Sequence, residues 1–268
     1  MFGFMIGDAG YGFTTLAVFY LGYKYIEGAR EIFKSLMYAS VATILFGLAF
    51  GDAFGYVIFG HHSELAAVTG IHLFEQIPIL WHRAEHLGQV FTISAIVGFF
   101  HVNAGYLLGF YNEYSNHGFV EAFLEKGSWF LLQISVALFY FYGAVIGVPA
   151  LMISVALLFK GEGVEGVVEI PSLLSNILSY LRIFGVSVAA VSLAAVVNAL
   201  AEPLFQMGSI IGIVAGIALL VFGHTFNTFI KIMEGFLQGI RLHYVEMFGK
   251  FYEGGGRKYL PFGSRDLS

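Results

Sequence analysis

Apolar residues run along this chain in blocks of roughly 20, the length that spans a bilayer as a helix, and short polar or glycine-rich breaks separate them. The pattern predicts an all-α fold: a polytopic transmembrane helix bundle of six or seven spans. The first full block covers 11–25 and follows a turn at Gly7-Asp8-Ala9-Gly10. The apolar stub before it, 1–6, reads as the last turns of an earlier helix in a longer protein. Further blocks cover 34–59 and 89–111. The block 128–159 is too long for one untilted helix, and Gly143, Gly147 and Pro149 predict two helices joined near Gly147. The last two blocks, 171–201 and 208–251, exceed the bilayer thickness and are expected to tilt or to project from the membrane.

Composition agrees with a membrane setting. The chain is 58% hydrophobic and 12% charged, against about 25% charged in an ordinary soluble domain, and its mean hydropathy is +0.79. It has no cysteine, which excludes disulfides and thiolate metal sites. A net charge of −5 without a basic cluster argues against nucleic acid as a partner.

Lysine and arginine sort to one side of the scheme. Lys24, Arg30, Lys34, Lys126, Lys160, Lys250, Arg257, Lys258 and Arg265 fall in connections on one face, whereas Arg83 falls on the other. The basic face, with the C-terminus, is therefore expected in the cytoplasm and the His-rich loop 61–86 outside. An internal echo links Phe2-Gly3-Phe4-Met5-Ile6-Gly7-Asp8-Ala9 to Phe46-Gly47-Leu48-Ala49-Phe50-Gly51-Asp52-Ala53. It is short, and Gly47, Gly51 and Gly55 are spaced for close helix approach.

Arg182 is the most informative residue. At mid-bilayer an arginine costs roughly 2.5–3.5 kcal/mol on insertion scales, and its guanidinium stays charged at physiological pH. Two readings stand: a structural arginine in a buried pair, or a functional charge on a protein-lined path. Ser175, Ser179, Gly185, Ala189 and Ser192 share its helix face and are all small, which suits a surface past which another helix slides.

The final block carries a second signal. His224, Asn227, Lys231, Glu234, Gln238 and Arg241 recur at steps of three or four and so occupy one helix face. Such a stripe cannot face lipid, although its lower part, Arg241 above all, could also project into cytoplasm as an amphipathic extension. Asp8, Asp52, His101 and Glu113 complete the set of channel-forming or structural polar candidates, with Ser179 beside Arg182.

Two apparent motifs carry little. Gly161-Glu162-Gly163-Val164-Glu165-Gly166 fits a dinucleotide fingerprint in letters only; without a strand–helix unit it reads as a loop, and its glutamates would repel phosphate. His82-Arg83-Ala84-Glu85-His86 lacks the glutamate that a zinc-hydrolase helix places next to its first histidine. With His61, His62 and His72 it is read as a solvated loop, a metal or proton-buffering role being the alternative. No metal site or cofactor is assigned.

The segments Ser179-Tyr180-Leu181-Arg182-Ile183-Phe184-Gly185 and Gln238-Gly239-Ile240-Arg241-Leu242-His243-Tyr244-Val245-Glu246, with the tail from Lys250 to Phe262, resemble the membrane half of the V-type/A-type ATPase subunit a, called subunit I in prokaryotes. Phe2-Gly3-Phe4-Met5-Ile6-Gly7-Asp8-Ala9-Gly10-Tyr11-Gly12 resembles the family's signature near its first two spans. The resemblance covers the chain in order. It implies a stator subunit whose N-terminal cytoplasmic domain is missing and whose first helix is truncated. Residues 1–160 would form peripheral helices, and 161–268 a tilted pair facing a proteolipid c/K ring, with a cytoplasmic tail.

By position, the resemblance makes Arg182 and Arg241 the family's two intramembrane arginines, Gln238 the polar neighbour of the second, and Glu169 a half-channel carboxylate. Ala190 stands where eukaryotic members carry histidine, which favours a prokaryotic plasma membrane; Lys231 and Glu234 differ in offset from the eukaryotic glutamate. The implied partners are the ring, which carries the ion-binding carboxylate, the peripheral and central stalk subunits, the bilayer, and H⁺ or Na⁺. The chain would be non-catalytic alone. Two other classes remain open: a secondary ion-coupled transporter with a midplane site on the last helix, and a non-transporting assembly scaffold.

Overall fold

The computed structural model describes residues 1–61, 63–77, 87–252 and 254. His62, His82, Arg83, Glu85, His86 and the basic tail residues Arg257, Lys258 and Arg265 lie outside them. In order, the elements are α1 (Phe2–Ile6), α2 (Ala9–Tyr25), α3 (Arg30–Phe50), a hairpin of β1 (Asp52–Ala53) and β2 (Tyr56–Val57), the short α4 (Glu64–Thr69) and α5 (Leu73–Gln76), then α6 (Leu87–His117) and α7 (Phe119–Ala122). The long helices α8 (Ser128–Tyr142), α9 (Ala144–Val168), α10 (Ile170–Ser179), α11 (Leu181–Gln206) and α12 (Ile210–Arg241) complete the chain.

The architecture is all-α and polytopic. Among the described residues, six helical stretches are long and apolar enough to cross a membrane. Large side chains such as Tyr140, Val145, Ile210 and Phe222 point outward along them. A water-soluble protein would bury this surface, so the protein is a multi-pass membrane protein.

Several boundaries differ from the sequence expectation, each for a local reason. The block expected to 59 stops at Phe50, because Gly51 takes a left-handed conformation (φ 76°) and the chain turns into the hairpin. The turn expected near Gly147 falls at Gly143 (φ 76°, ψ −171°), while Gly147 packs against the backbone of Phe139 and lets α9 fold closely onto α8. The segment 161–166, expected as a loop, is helical within α9, with only Gly163 leaving helical geometry (φ 72°). The arginine helix is broken at Tyr180 into α10 and α11. At 1.5 Å per residue, the 26-residue α11 and 32-residue α12 run about 39 and 48 Å, beyond the roughly 30 Å hydrocarbon core.

The chain divides into two compact units. The first joins Met1–His101 to Ser172–His243. Here α1 and α2 pack on α3 through glycines: a Cβ on Gly47 would overlap the backbone of Ala9, and one on Gly3 would press on Ala42. Phe4 meets Phe46 and Phe50 edge-on at 5.4 and 5.5 Å, and Ile6, Tyr11 and Ala194 form a buried cluster with Phe2 and Phe54. The sequence echo acquires a physical meaning, since Gly7 and Gly51 each end a helix in the left-handed region and each precedes a buried aspartate. The second unit joins Val102–Pro171 to Tyr244–Ser268. Beside its buried Tyr106, Trp129 and Leu158 it holds charged groups: Glu162 accepts from Lys126 Nζ (2.9 Å) and Trp129 Nε1 (3.1 Å), and Lys250 Nζ lies 5.4 Å from the centroid of the Tyr106 ring.

Candidate ion-translocation site

The first unit holds the arginine helix and the polar stripe. Arg182 opens α11 two residues after the break at Tyr180, half-buried, with Ser179 beside it. Ser175, Gly185, Ala189 and Ser192 of its face are exposed, and among the described residues a Cβ built on Gly185 would meet nothing within 4 Å beyond its own helix turn. The small-residue face thus looks away from the rest of the unit. Ser179 itself returns its hydroxyl to the Ser175 carbonyl (3.0 Å), a local helix bond.

Tyr180 ties this helix break to the end of α12. Its buried phenol donates to the Leu242 carbonyl (3.3 Å), next to Arg241, and lies 2.5 Å from His101 Nδ1. The phenol's one proton is thus shared between the Leu242 carbonyl and the closer His101 ring nitrogen, according to the His101 tautomer. His243 donates its Nδ1–H to the Gly239 carbonyl (2.7 Å), and its ring meets that of His101 edge-on at 4.9 Å. Beyond Arg241 the helix widens into a π-helical turn, Leu242–Met247, a distortion often found at functional sites.

The upper stripe on α12 turns inward. Asn227 donates to the Tyr11 hydroxyl (2.8 Å), Tyr11 donates to His224 Nδ1 (2.6 Å), and His224 Nε2–H donates to Asn198 Oδ1 (3.0 Å). Asn198 then donates through Nδ2 to the Phe54 carbonyl (2.9 Å). Each donor meets an acceptor, so four elements share one directional chain. The buried Lys231 places Nζ 3.5 Å from the Tyr11 ring centroid, a close cation–π contact. Glu234 and Gln238 are half-buried and Arg241 is exposed.

At the Asn198 end lies a cavity of about 510 Å³ lined by Tyr56, Glu64, Asn198, Glu202 and Gln206 among others. Burial, and then the neighbouring Glu202, raise the Glu64 carboxyl above its ordinary pKa; burial and both glutamates raise the Tyr56 phenol.

The remaining candidates divide. Asp8 is an anchor: its carboxylate caps α2 through Tyr11 N–H (3.0 Å) and holds the hairpin through Phe54 N–H (2.9 Å) and Gly55 N–H (3.1 Å). Asp52 is buried in the same hairpin, paired in register with Val57. In the second unit, Glu113 pairs with His117 (2.6 Å) and Glu169 is exposed at the C-terminal end of α9. Sequence reasoning missed Asn198, Tyr180 as a link, Glu64, Glu202 and Phe54. Tyr11 and Tyr180 stood inside quoted motifs, but their partners lie 213 and 62 residues away. Among the described residues no cluster of His, Cys, Asp or Glu is placed to hold a metal ion.

Residues 165–264, which include both arginines, match the V-type ATPase 116kDa subunit family. The A-type ATP synthase subunit I of Archaeoglobus fulgidus is 30% identical over 98% of this chain and 47% of its own length. That of Pyrococcus horikoshii is 32% identical over 98% of this chain and 41% of its own. The V-type ATP synthase subunit I of Borreliella burgdorferi is 25% identical over 97% and 47%. The chain thus spans a little under half the length of the curated relatives it matches. Aligned with these proteins along nearly all of its own length, the chain belongs to the V-type ATPase 116kDa subunit family.

Proposed function

We propose that this chain is the ion-translocating membrane stator of a rotary A/V-type ATP synthase or ATPase, seated against a proteolipid ring and held by stalk subunits in a prokaryotic plasma membrane. The observation that carries the reading is the placement of Arg182: a fixed charge on an outward face of small residues, braced from behind by Tyr180. The names of the relatives favour it over a secondary transporter.

The outward half-channel begins at the Glu64–Glu202 cavity, on the side opposite the basic connections, and continues through Asn198, His224, Tyr11 and Asn227. Down α12 it passes Lys231 and Glu234 to Gln238 and Arg241. The His101–Tyr180–His243 group serves the cytoplasmic path, and Glu169 is proposed as a half-channel carboxylate from the family resemblance alone. A protonated ring carboxylate crosses lipid neutral and reaches Arg182, whose charge lowers the carboxylate's pKa and drives its proton into the next half-channel. Arginine does not release its own proton, so the two paths stay insulated. Each elementary charge crossing 100 mV is worth about 2.3 kcal/mol, so several transfers are summed per ATP. Orientation follows the basic connections, with the C-terminus in the cytoplasm.

Cysteine introduced at Gly185 tests the docking face. In the assembled complex it should crosslink to cysteines placed along the outer ring helix. Crosslinking only to other subunits, with none to the ring, contradicts the reading.

A further inference from the structure

The hydrogen-bonded chain of the outward path stops at Phe54, and that residue is held against its backbone preference. Phe54 and Gly55 are the two-residue loop of the β1–β2 hairpin, both with positive φ (53° and 79°). Such a turn calls for Asn-Gly or Gly-Gly. Phe54 is the one non-glycine residue in this region among those described, and a bulky side chain there is strained. The surroundings enforce the conformation: Asp8 takes both loop N–H groups and Asn198 donates to the Phe54 carbonyl.

The ring has a built seat. It meets Tyr11 and His224 edge-on, with centroids at 5.1 and 5.5 Å, and a Cβ on Gly10 would collide with it. On the other side, Gly55, Tyr56 and Asn198 line the 510 Å³ cavity. The ring therefore packs on both partners of the Tyr11–His224 hydrogen bond, and Phe54 stands one residue before Gly55 and is bonded through its carbonyl to Asn198, both of which line the cavity. Strained sites of this kind persist where the side chain has a task.

We propose that Phe54 is the seal of the outward half-channel, a residue that keeps bulk water and hydrated cations in the cavity away from the Tyr11–His224 pair and holds both rings in hydrogen-bonding register. The inference rests on the half-channel reading above. It explains why an asparagine or glycine, which the turn prefers, is absent: either would fit the backbone and leave the pair open.

The test uses the complete complex in sealed vesicles, with Phe54→Gly, Phe54→Asn and Phe54→Leu. The first two relieve the turn but lose the ring's packing, so their thermal midpoints are measured first and the rates are read on assembled complex. They should dissipate an imposed pH gradient severalfold faster, and a charged thiol reagent applied from the cavity side should label a His224→Cys background severalfold faster. Phe54→Leu, still bulky and apolar, should keep both rates near those of Phe54. Unchanged leak and labelling in well-folded Phe54→Gly and Phe54→Asn complexes overturn the seal. Failure of the parent reading shows elsewhere: if Tyr11→Phe pumps normally the path itself is wrong, while the labelling comparison still reports on Phe54.

Discussion

The phenol of Tyr180 donates to the carbonyl of Leu242 across 3.3 Å, linking the residue two before Arg182 to the residue just after Arg241. This hydrogen bond ties the two arginine helices together at the level where the charges lie, as His224–Asn198 does further along them. Buried donors that lose their partner's function leave the full desolvation cost behind, about 1–3 kcal/mol. Tyr180→Phe should therefore loosen the pair without removing either charge. The expected result is near-normal ATP hydrolysis with fewer ions moved per ATP, measured as vesicle acidification against phosphate release in one preparation. An unchanged ratio would remove Tyr180 from the account.

Gly185 and Gly47 should separate two kinds of small residue. Space around Gly185 is open, and leucine exceeds glycine in helix propensity by up to about 1 kcal/mol. Gly185→Leu is expected to leave the isolated subunit at least as stable, yet to block the ring or stop coupled pumping. Gly47→Leu must instead displace the Ala9 backbone and should abolish folding. Normal pumping by the Gly185→Leu complex would mean that nothing slides on that face.

Asp8 binds three backbone N–H groups, and hydrogen bonds to a charged acceptor contribute about 1.5–3 kcal/mol each. Asp8→Ala should cost several kcal/mol on that basis and lower the thermal midpoint sharply. Asp8→Asn, which keeps one acceptor oxygen, should fall between. Whatever folded Asp8→Asn complex remains should pump normally per molecule. A stable but inactive variant would show instead that the carboxylate takes part in transport.

Glu64 gives a pH signature. Burial and Glu202 hold its carboxyl above the ordinary value, so the folded state disfavours the charged form. Its contribution to stability is present below the unfolded-state pKa and is lost as pH rises through the raised, folded-state value. Glu64→Gln removes that loss: relative to the parent it should be more stable near neutrality, with the difference vanishing in acid. Thermal midpoints of both proteins from acid to neutral pH check this. A difference that grows toward acid would carry the wrong sign.

Much of this was legible in the linear pattern, and the limits follow from range. The apolar blocks and the spacing of 224, 227, 231, 234, 238 and 241 are local, periodic features, and helices of that character with an inward upper stripe are present. The Gly-Asp echo marked two real helix stops. Periodicity misplaced the ends where one residue decides, as at Gly51, Gly143 and Tyr180, because hydrophobicity continues through a left-handed or broken position. The site itself was hidden for another reason. Tyr11, Asn198 and Phe54 are ordinary residues in their own segments and acquire meaning only through His224 and Asp8, which tertiary packing brings to them.

The central claim is that Arg182 is the electrostatic gate between two half-channels. The most direct measurement is ATP-driven ion pumping by the complete complex with Arg182→Lys in sealed vesicles, alongside its ATP hydrolysis. Lysine keeps the charge but loses the planar, delocalised fork and the high pKa, so hydrolysis should continue in part while pumping is lost. Wild-type pumping by Arg182→Lys would contradict the account.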